Sequence, residues 1–119
     1  MSPQNARVFI VEDSLSWQEA YRALIDSSSH TLVQLATNMA DAEEALPKLA
    51  EMGIQVAIID GNISKTGHNG LEGKYLIGKI KRLFPEIKTI GMSGEFALNA
   101  DIDLGKLNAN DLIKTITDL

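Results

Sequence analysis

Val8-Phe9-Ile10-Val11, closed by Glu12-Asp13, and Val56-Ala57-Ile58-Ile59, closed by Asp60, are the stretches that decide how this chain folds. Each is a short unbroken apolar run, rich in β-branched residues, with no polar alternation. Such a run fits a strand covered on both faces. Weaker runs at 31–36, 89–92 and 102–104 extend the series. Between them the apolar spacing becomes helical. Trp17, Tyr21, Leu24 and Ile25 fall at i, i+4, i+7 and i+8, and 42–52, Leu76-Ile80-Leu83-Phe84 and Leu112-Ile113-Ile116-Leu119 repeat the pattern. Pro47 lies inside the second of these stretches, where its missing N–H is expected to kink or restart the helix. Five strands alternating with helices predict an α/β fold: a doubly wound parallel sheet with helices on both faces.

Composition bounds what such a fold can do. With 119 residues the chain holds one domain, read as a loose, disordered tail over 1–6 followed by a domain over 7–119. No repeat or low-complexity linker interrupts it. The absence of Cys excludes a disulfide framework, a thiolate zinc site and a cysteine nucleophile. A net charge of −5 argues against direct nucleic-acid binding and against anionic membranes. No apolar stretch is long enough to span a bilayer, and MSPQNAR lacks a signal-peptide core. A cytoplasmic location without membrane insertion is the expectation.

In open parallel sheets, ligands bind outside the C-terminal strand ends. Glu12 and Asp13 follow the first strand and Asp60 follows the third. Three carboxylates at one sheet edge repel one another unless a cation or proton sits among them. Hard oxygen donors at this density suit Mg2+. Each taken alone also reads as a solvated strand-end acid, and Asp13 or Ser14 as a cap of the first helix. Ser93 ends the fourth apolar run and Lys106 follows the fifth, adding a hydroxyl and an ammonium at the same edge. A carboxylate nucleophile, a divalent ion, a hydroxyl and a lysine are the parts of phosphoryl transfer. The stretch 61–73, with four of the nine glycines and no apolar period, reads as a long loop after Asp60.

In this order, Glu12-Asp13, Asp60, Ser93 and Lys106 resemble the receiver domain of two-component response regulators, over about residues 7–119. The resemblance implies a flavodoxin-like five-stranded sheet of order 2-1-3-4-5. It implies that Asp60 is the phosphoacceptor, and that Glu12, Asp13, Asp60 and the backbone carbonyl of Asn62 hold Mg2+. Ser93, Gly94 and Lys106 then bind the phosphoryl group, Gly94 being the small residue that leaves room for it. Asn62 and Glu95 occupy positions that tune self-dephosphorylation, so a short-lived phosphorylated state is expected. The implied donor is a sensor histidine kinase or a phosphotransfer protein, and the signal passes to a downstream protein partner. The domain catalyses its own phosphorylation and dephosphorylation and is otherwise a signalling module, either stand-alone or cut from a longer protein.

The chain departs from that family in four places. Gly73 lies thirteen residues past Asp60, where the family has a glycine about eight on, so the loop is lengthened by roughly five. Only thirteen positions separate Ser93 from Lys106, so the fourth helix is expected to be reduced to one turn near 95–99, or absent. Asp103 falls where the family has a switch aromatic. Leu107 replaces the usual proline after Lys106. A cis bond there costs ~3 kcal/mol without proline, so the expectation is a trans bond with a shifted Lys106, or a strained cis bond.

Other readings fit less well. Residues 60–71 imitate a calcium loop but place Lys65 at the glycine position and Leu71 at the bidentate glutamate. Residues 67–74 miss the P-loop spacing and its Mg2+-binding hydroxyl, and no G-x-G-x-x-G follows a strand. His30 and His68 read as surface histidines, and Trp17 as helix core with a position close to the acids. A haloacid-dehalogenase-like phosphohydrolase shares the chemistry, but its nucleophile comes first in the chain and is followed by an acid where Asn62 stands. A pseudo-receiver, the same fold used as a phosphorylation-independent binding module, is the nearer alternative. Partner docking through the first helix or the 61–73 loop is expected if the fourth helix is missing.

Overall fold

A computed structural model describes residues 5–63, 70–94 and 96–119. Five parallel strands, β1 (Arg7–Val11), β2 (Thr31–Ala36), β3 (Val56–Asp60), β4 (Lys88–Met92) and β5 (Ile102–Asp103), pair in the order β2-β1-β3-β4-β5. The two apolar runs become the buried centre. In β3 all five residues are buried, as are Val8 to Val11 of β1. Alternate strand residues feed two cores. Phe9, Val11, Ala57 and Ile59 face α2 (Met39–Ala45) and α3 (Leu71–Leu83), where Leu76, Ile77 and Ile80 meet them. Val8, Ile10, Val56 and Ile58 face α1 (Leu15–Asp26) and α4 (Leu112–Thr117), through Tyr21, Ile25, Leu112 and Ile116. Burying large aliphatic side chains on both faces stabilises the sheet by about 1.5–3 kcal/mol for each one fully covered.

Local chemistry sets the boundaries. Asn38 caps α2 by accepting the Asp41 N–H at 2.8 Å. At Pro47 the α-helix gives way to a 3-10 turn, Leu46–Lys48, as the missing donor predicts. Between β4 and β5 the described residues form no helix, in agreement with the short Ser93-to-Lys106 spacing. Leu98 fills the space instead, fully buried against the α3 side of the core. Two aspartates hold the segment: Asp101 Oδ2 accepts the Thr89 N–H at 2.8 Å, and Asp103 Oδ1 accepts the Leu98 N–H at 2.9 Å. Thr89 Oγ1 returns the clasp by accepting the Asp101 N–H at 2.9 Å. Gly70, in the left-handed region at φ 70°, packs closely on Leu98 and Phe96.

Four expectations are corrected. The loop after Asp60 does not run to Gly73: α3 begins at Leu71, and Gly73 lies in its first turn. Glycine is needed there for closeness, since a Cβ at Gly73 would overlap the Asp60 carbonyl. Ala6, assigned to the tail, is fully buried, and its N–H donates to His30 Nδ1 at 2.9 Å. His30 is not a surface residue. It is buried, with Nε2 3.0 Å from Thr117 Oγ1, and that hydroxyl donates to the Ile113 carbonyl. β5 ends at Asp103, one residue earlier than its apolar pattern suggests, because Leu104 N–H and Gly105 N–H both turn back to the Gly91 carbonyl. The expected positions of Met1 to Gln4, of His68 and of Glu95 lie outside the described residues.

Candidate functional site

Because every strand is parallel, all five C-terminal ends open on one edge. Glu12 and Asp13 leave β1 there and Asp60 ends β3. One carboxylate oxygen from each lies within 4.8 Å of the other two. Glu12 is 0% exposed and Asp60 5%, while Asp13 is open to solvent. Glu12 Oε2 accepts the Ser14 N–H at 3.1 Å, and Gln18 Nε2 donates to the Glu12 carbonyl at 3.0 Å, so the start of α1 fixes the acid. Asp60 Oδ1 accepts the Gly61 N–H at 2.7 Å.

Lys106 enters from the opposite end of the edge. Its Nζ stands 3.1 Å from Glu12 Oε1 and 3.1 Å from Asp60 Oδ1. The Glu12 contact is one of charge, since Oε1 makes no aligned hydrogen bond among the described residues. The backbone turns into position at Gly105, φ 81°, and the bond from Lys106 to Leu107 is trans. The expected trans bond is found, but the shift of Lys106 expected with it is not, since its ammonium reaches Asp60. Gly105 supplies the required backbone freedom.

The electrostatics follow from burial beside like charge. The Glu12 carboxyl is pushed up to about 8, by burial first and then by Asp60, with Lys106 opposing. Asp13 is raised for the same two reasons in the same order. Burial lowers the Lys106 ammonium, but attraction to Asp60 and Glu12 outweighs it and the net shift is upward. One cation among three acids leaves a deficit of positive charge at this edge.

Ser93 and Gly94 follow β4 beside the acceptor. Gly61 lies so near Ser93 that a Cβ there would stand 3.0 Å from Ser93 Oγ. Ser93 Oγ also accepts the Phe96 N–H at 3.0 Å. Among the described residues no side chain crowds Gly94: a Cβ added there meets none of them within 4 Å. The Asn62 side chain closes the base of the loop, its Oδ1 accepting the Gly70 N–H at 3.1 Å. Glu72, at the start of α3, accepts the Ile63 N–H at 2.8 Å.

Two aromatic residues join the site, of which sequence reasoning missed Tyr21 and placed Trp17 only by its position near the acids. Trp17 is half-buried, with Lys106 Nζ 5.4 Å from its ring centroid. Tyr21, one turn on, is 1% exposed and tilts against it, centroids 5.5 Å apart at 33°. The Tyr21 hydroxyl has no hydrogen-bond partner among the described residues, and burial, Glu12 and Asp60 all raise its pKa. The i, i+4 spacing marked both as core, and only Trp17 carried a hint, through its distance from Asp13.

No family profile and no curated protein sequence matches the chain. Solved structures do. A CheY-like response regulator receiver domain from Methanospirillum hungatei superposes with a TM-score of 0.75 at 22% identity, covering 96% of this chain and 92% of that one. The chain has the receiver-domain fold. The response regulator domain of Thermotoga maritima CheB matches with a TM-score of 0.70 at 18% identity, over 96% and 95% of the two chains. The Salmonella typhimurium response regulator RcsB matches this receiver fold at 0.74 and 24%, covering 94% of this chain. The chain spans 58% of that protein's length. Among the described residues no helix is long and apolar enough to cross a membrane.

Proposed function

We propose that this receiver fold is a phosphoacceptor, taking a phosphoryl group on Asp60 from the phosphohistidine of a sensor histidine kinase or a phosphotransfer protein. The observation that carries the reading is the Lys106 ammonium 3.1 Å from Asp60, within a cluster of three acids. The donor set fits Mg2+: oxygen donors only, two of the acids buried, and Glu12 and Asp13 both raised by burial first and then by Asp60's charge. Glu12, Asp13, Asp60 and the Asn62 carbonyl would hold the ion, which when bound offsets charge on the phosphoryl oxygens.

The protein's own groups supply the rest. Gly61 N–H and Lys106 fix Asp60 Oδ1, which leaves Oδ2 to attack phosphorus in line. The new P–O bond forms as the P–N bond to the donor imidazole breaks, and the histidine leaves with the bonding pair. Lys106 and the Ser93 hydroxyl then meet the phosphoryl oxygens, with space for them over Gly94. By the family resemblance, Asn62 and Glu95 are the residues assigned to orient the water that hydrolyses the product. The acyl phosphate biases a two-state equilibrium read by a protein partner. A cytoplasmic location accords with this chemistry.

The β4–β5 segment favours a second reading. Asp103 is bound to the Leu98 amide where the family has a rotating aromatic ring, which suits a binding module independent of phosphorylation. Intact-mass measurement after incubation with acetyl phosphate and Mg2+ decides between them. A gain of one phosphoryl group on the wild type and none on Asp60→Asn is expected. An unmodified wild type selects the binding module.

A further inference from the structure

We propose that Trp17 is the positioning residue that holds Lys106 over Asp60, a role that rests on Lys106 serving the phosphoryl site. Lys106 has little else to hold it on its own segment. Gly105 precedes it with a left-handed φ, and Leu107 after it is 93% exposed. A groove of about 480 Å³ opens beside it, between α1 and the turn that follows β5, lined by Trp17, Leu24, Lys106, Leu107 and Ala109 among others. A long flexible ammonium side chain has room to swing into that groove, away from the acids. The indole stands in the way and attracts the ammonium to its face at 5.4 Å.

Trp17 is itself anchored. Its ring leans on Tyr21, which is buried in the α1–sheet core. A line of support therefore runs from the core through Tyr21 and Trp17 to Lys106, and ends at Glu12 and Asp60. Trp17 and Tyr21 lie one helical turn apart, so one face of α1 carries both rings, directly after the acids that precede the helix.

The test reads the ammonium directly. In protein labelled with ¹⁵N-lysine, the Lys106 side-chain NH3+ proton signal, assigned by its loss in Lys106→Met, is expected to be ring-shifted upfield. Trp17→Leu should return it to the position of the solvent-exposed lysines, and Trp17→Phe should keep part of the shift. With acetyl phosphate and Mg2+, Trp17→Leu should slow phosphorylation about threefold to tenfold, and Trp17→Phe should recover most of the rate. As a check that leaves α1 intact, Lys106→Met should shift the emission of Trp17. An NH3+ signal unchanged in Trp17→Leu, or Trp17 emission unchanged in Lys106→Met, overturns the proposal. The NMR and fluorescence readings need no phosphorylation. A protein that takes no phosphate but shows both shifts refutes the phosphoacceptor reading and keeps the positioning.

Discussion

Gly73 packs against the backbone of Asp60 so tightly that any side chain would collide with the Asp60 carbonyl. Its N–H also donates to the Gly61 carbonyl at 2.9 Å. The first turn of α3 is therefore bolted beneath the candidate acceptor. Gly73→Ala should destabilise the fold by about 1–3 kcal/mol, the usual cost of overpacking, and displace Asp60. Urea unfolding measures the first effect, and loss of phosphate uptake at a temperature where the variant is still folded measures the second.

Glu12 gives the stability of the metal-free protein a slope against pH. The folded state keeps the Glu12 proton up to about pH 8, while the unfolded chain releases it near 4.5. Across that window the folded state binds more protons, so stability falls as pH rises. Without Mg2+, Tm should drop between about pH 5 and pH 8, and Glu12→Gln should flatten the drop. Adding Mg2+ should raise the wild-type Tm, most at the alkaline end. A wild-type profile as flat as that of Glu12→Gln contradicts the assignment.

His30 should act in the opposite sense. Its Nδ1 accepts the Ala6 N–H, so the buried ring is neutral with the proton on Nε2, and burial lowers its pKa. Below about pH 6.5, the ordinary histidine value, the unfolded chain binds the proton that the folded one resists, and stability falls as pH falls. His30→Gln should cost about 1–3 kcal/mol at pH 8 through the lost partners. The gap between it and wild type should narrow at pH 5. Denaturant titrations at the two pH values check this.

Asp101 should matter more than its exposed position suggests. It satisfies the buried Thr89 amide and is itself held by the Thr89 hydroxyl. Asp101→Ala should destabilise by about 1–3 kcal/mol and speed amide exchange at Thr89, whereas Asp101→Asn should retain most of the protection. Equal exchange in both variants would show that the clasp is dispensable.

Much of this was legible in the sequence because strong signals coincide. Unbroken runs such as Val56 to Ile59 identify doubly covered strands, and parallel topology then carries every strand-end residue to one edge. That logic places Glu12, Asp13, Asp60, Ser93 and Lys106 together before any coordinates exist. What was illegible depends on contacts distant in the chain. Gly73 reads as a loop breaker by type, and only its closeness to Asp60 shows that it belongs in a helix. His30 carries no pattern that announces Ala6 and Thr117 as partners. Leu107 in place of proline suggested a displaced lysine, because the freedom at Gly105 and the wall at Trp17 are invisible in one dimension.

Gly70 rests directly on Leu98 and Phe96, so the residue that opens α3 and the bridge to the last strand are packed against each other. A close-packed contact of this kind has no slack to absorb a displacement. A displacement of the first turn of α3, which packs on Asp60 through Gly73, is therefore expected to be felt at Leu98, whose amide is held by Asp103 of the edge strand.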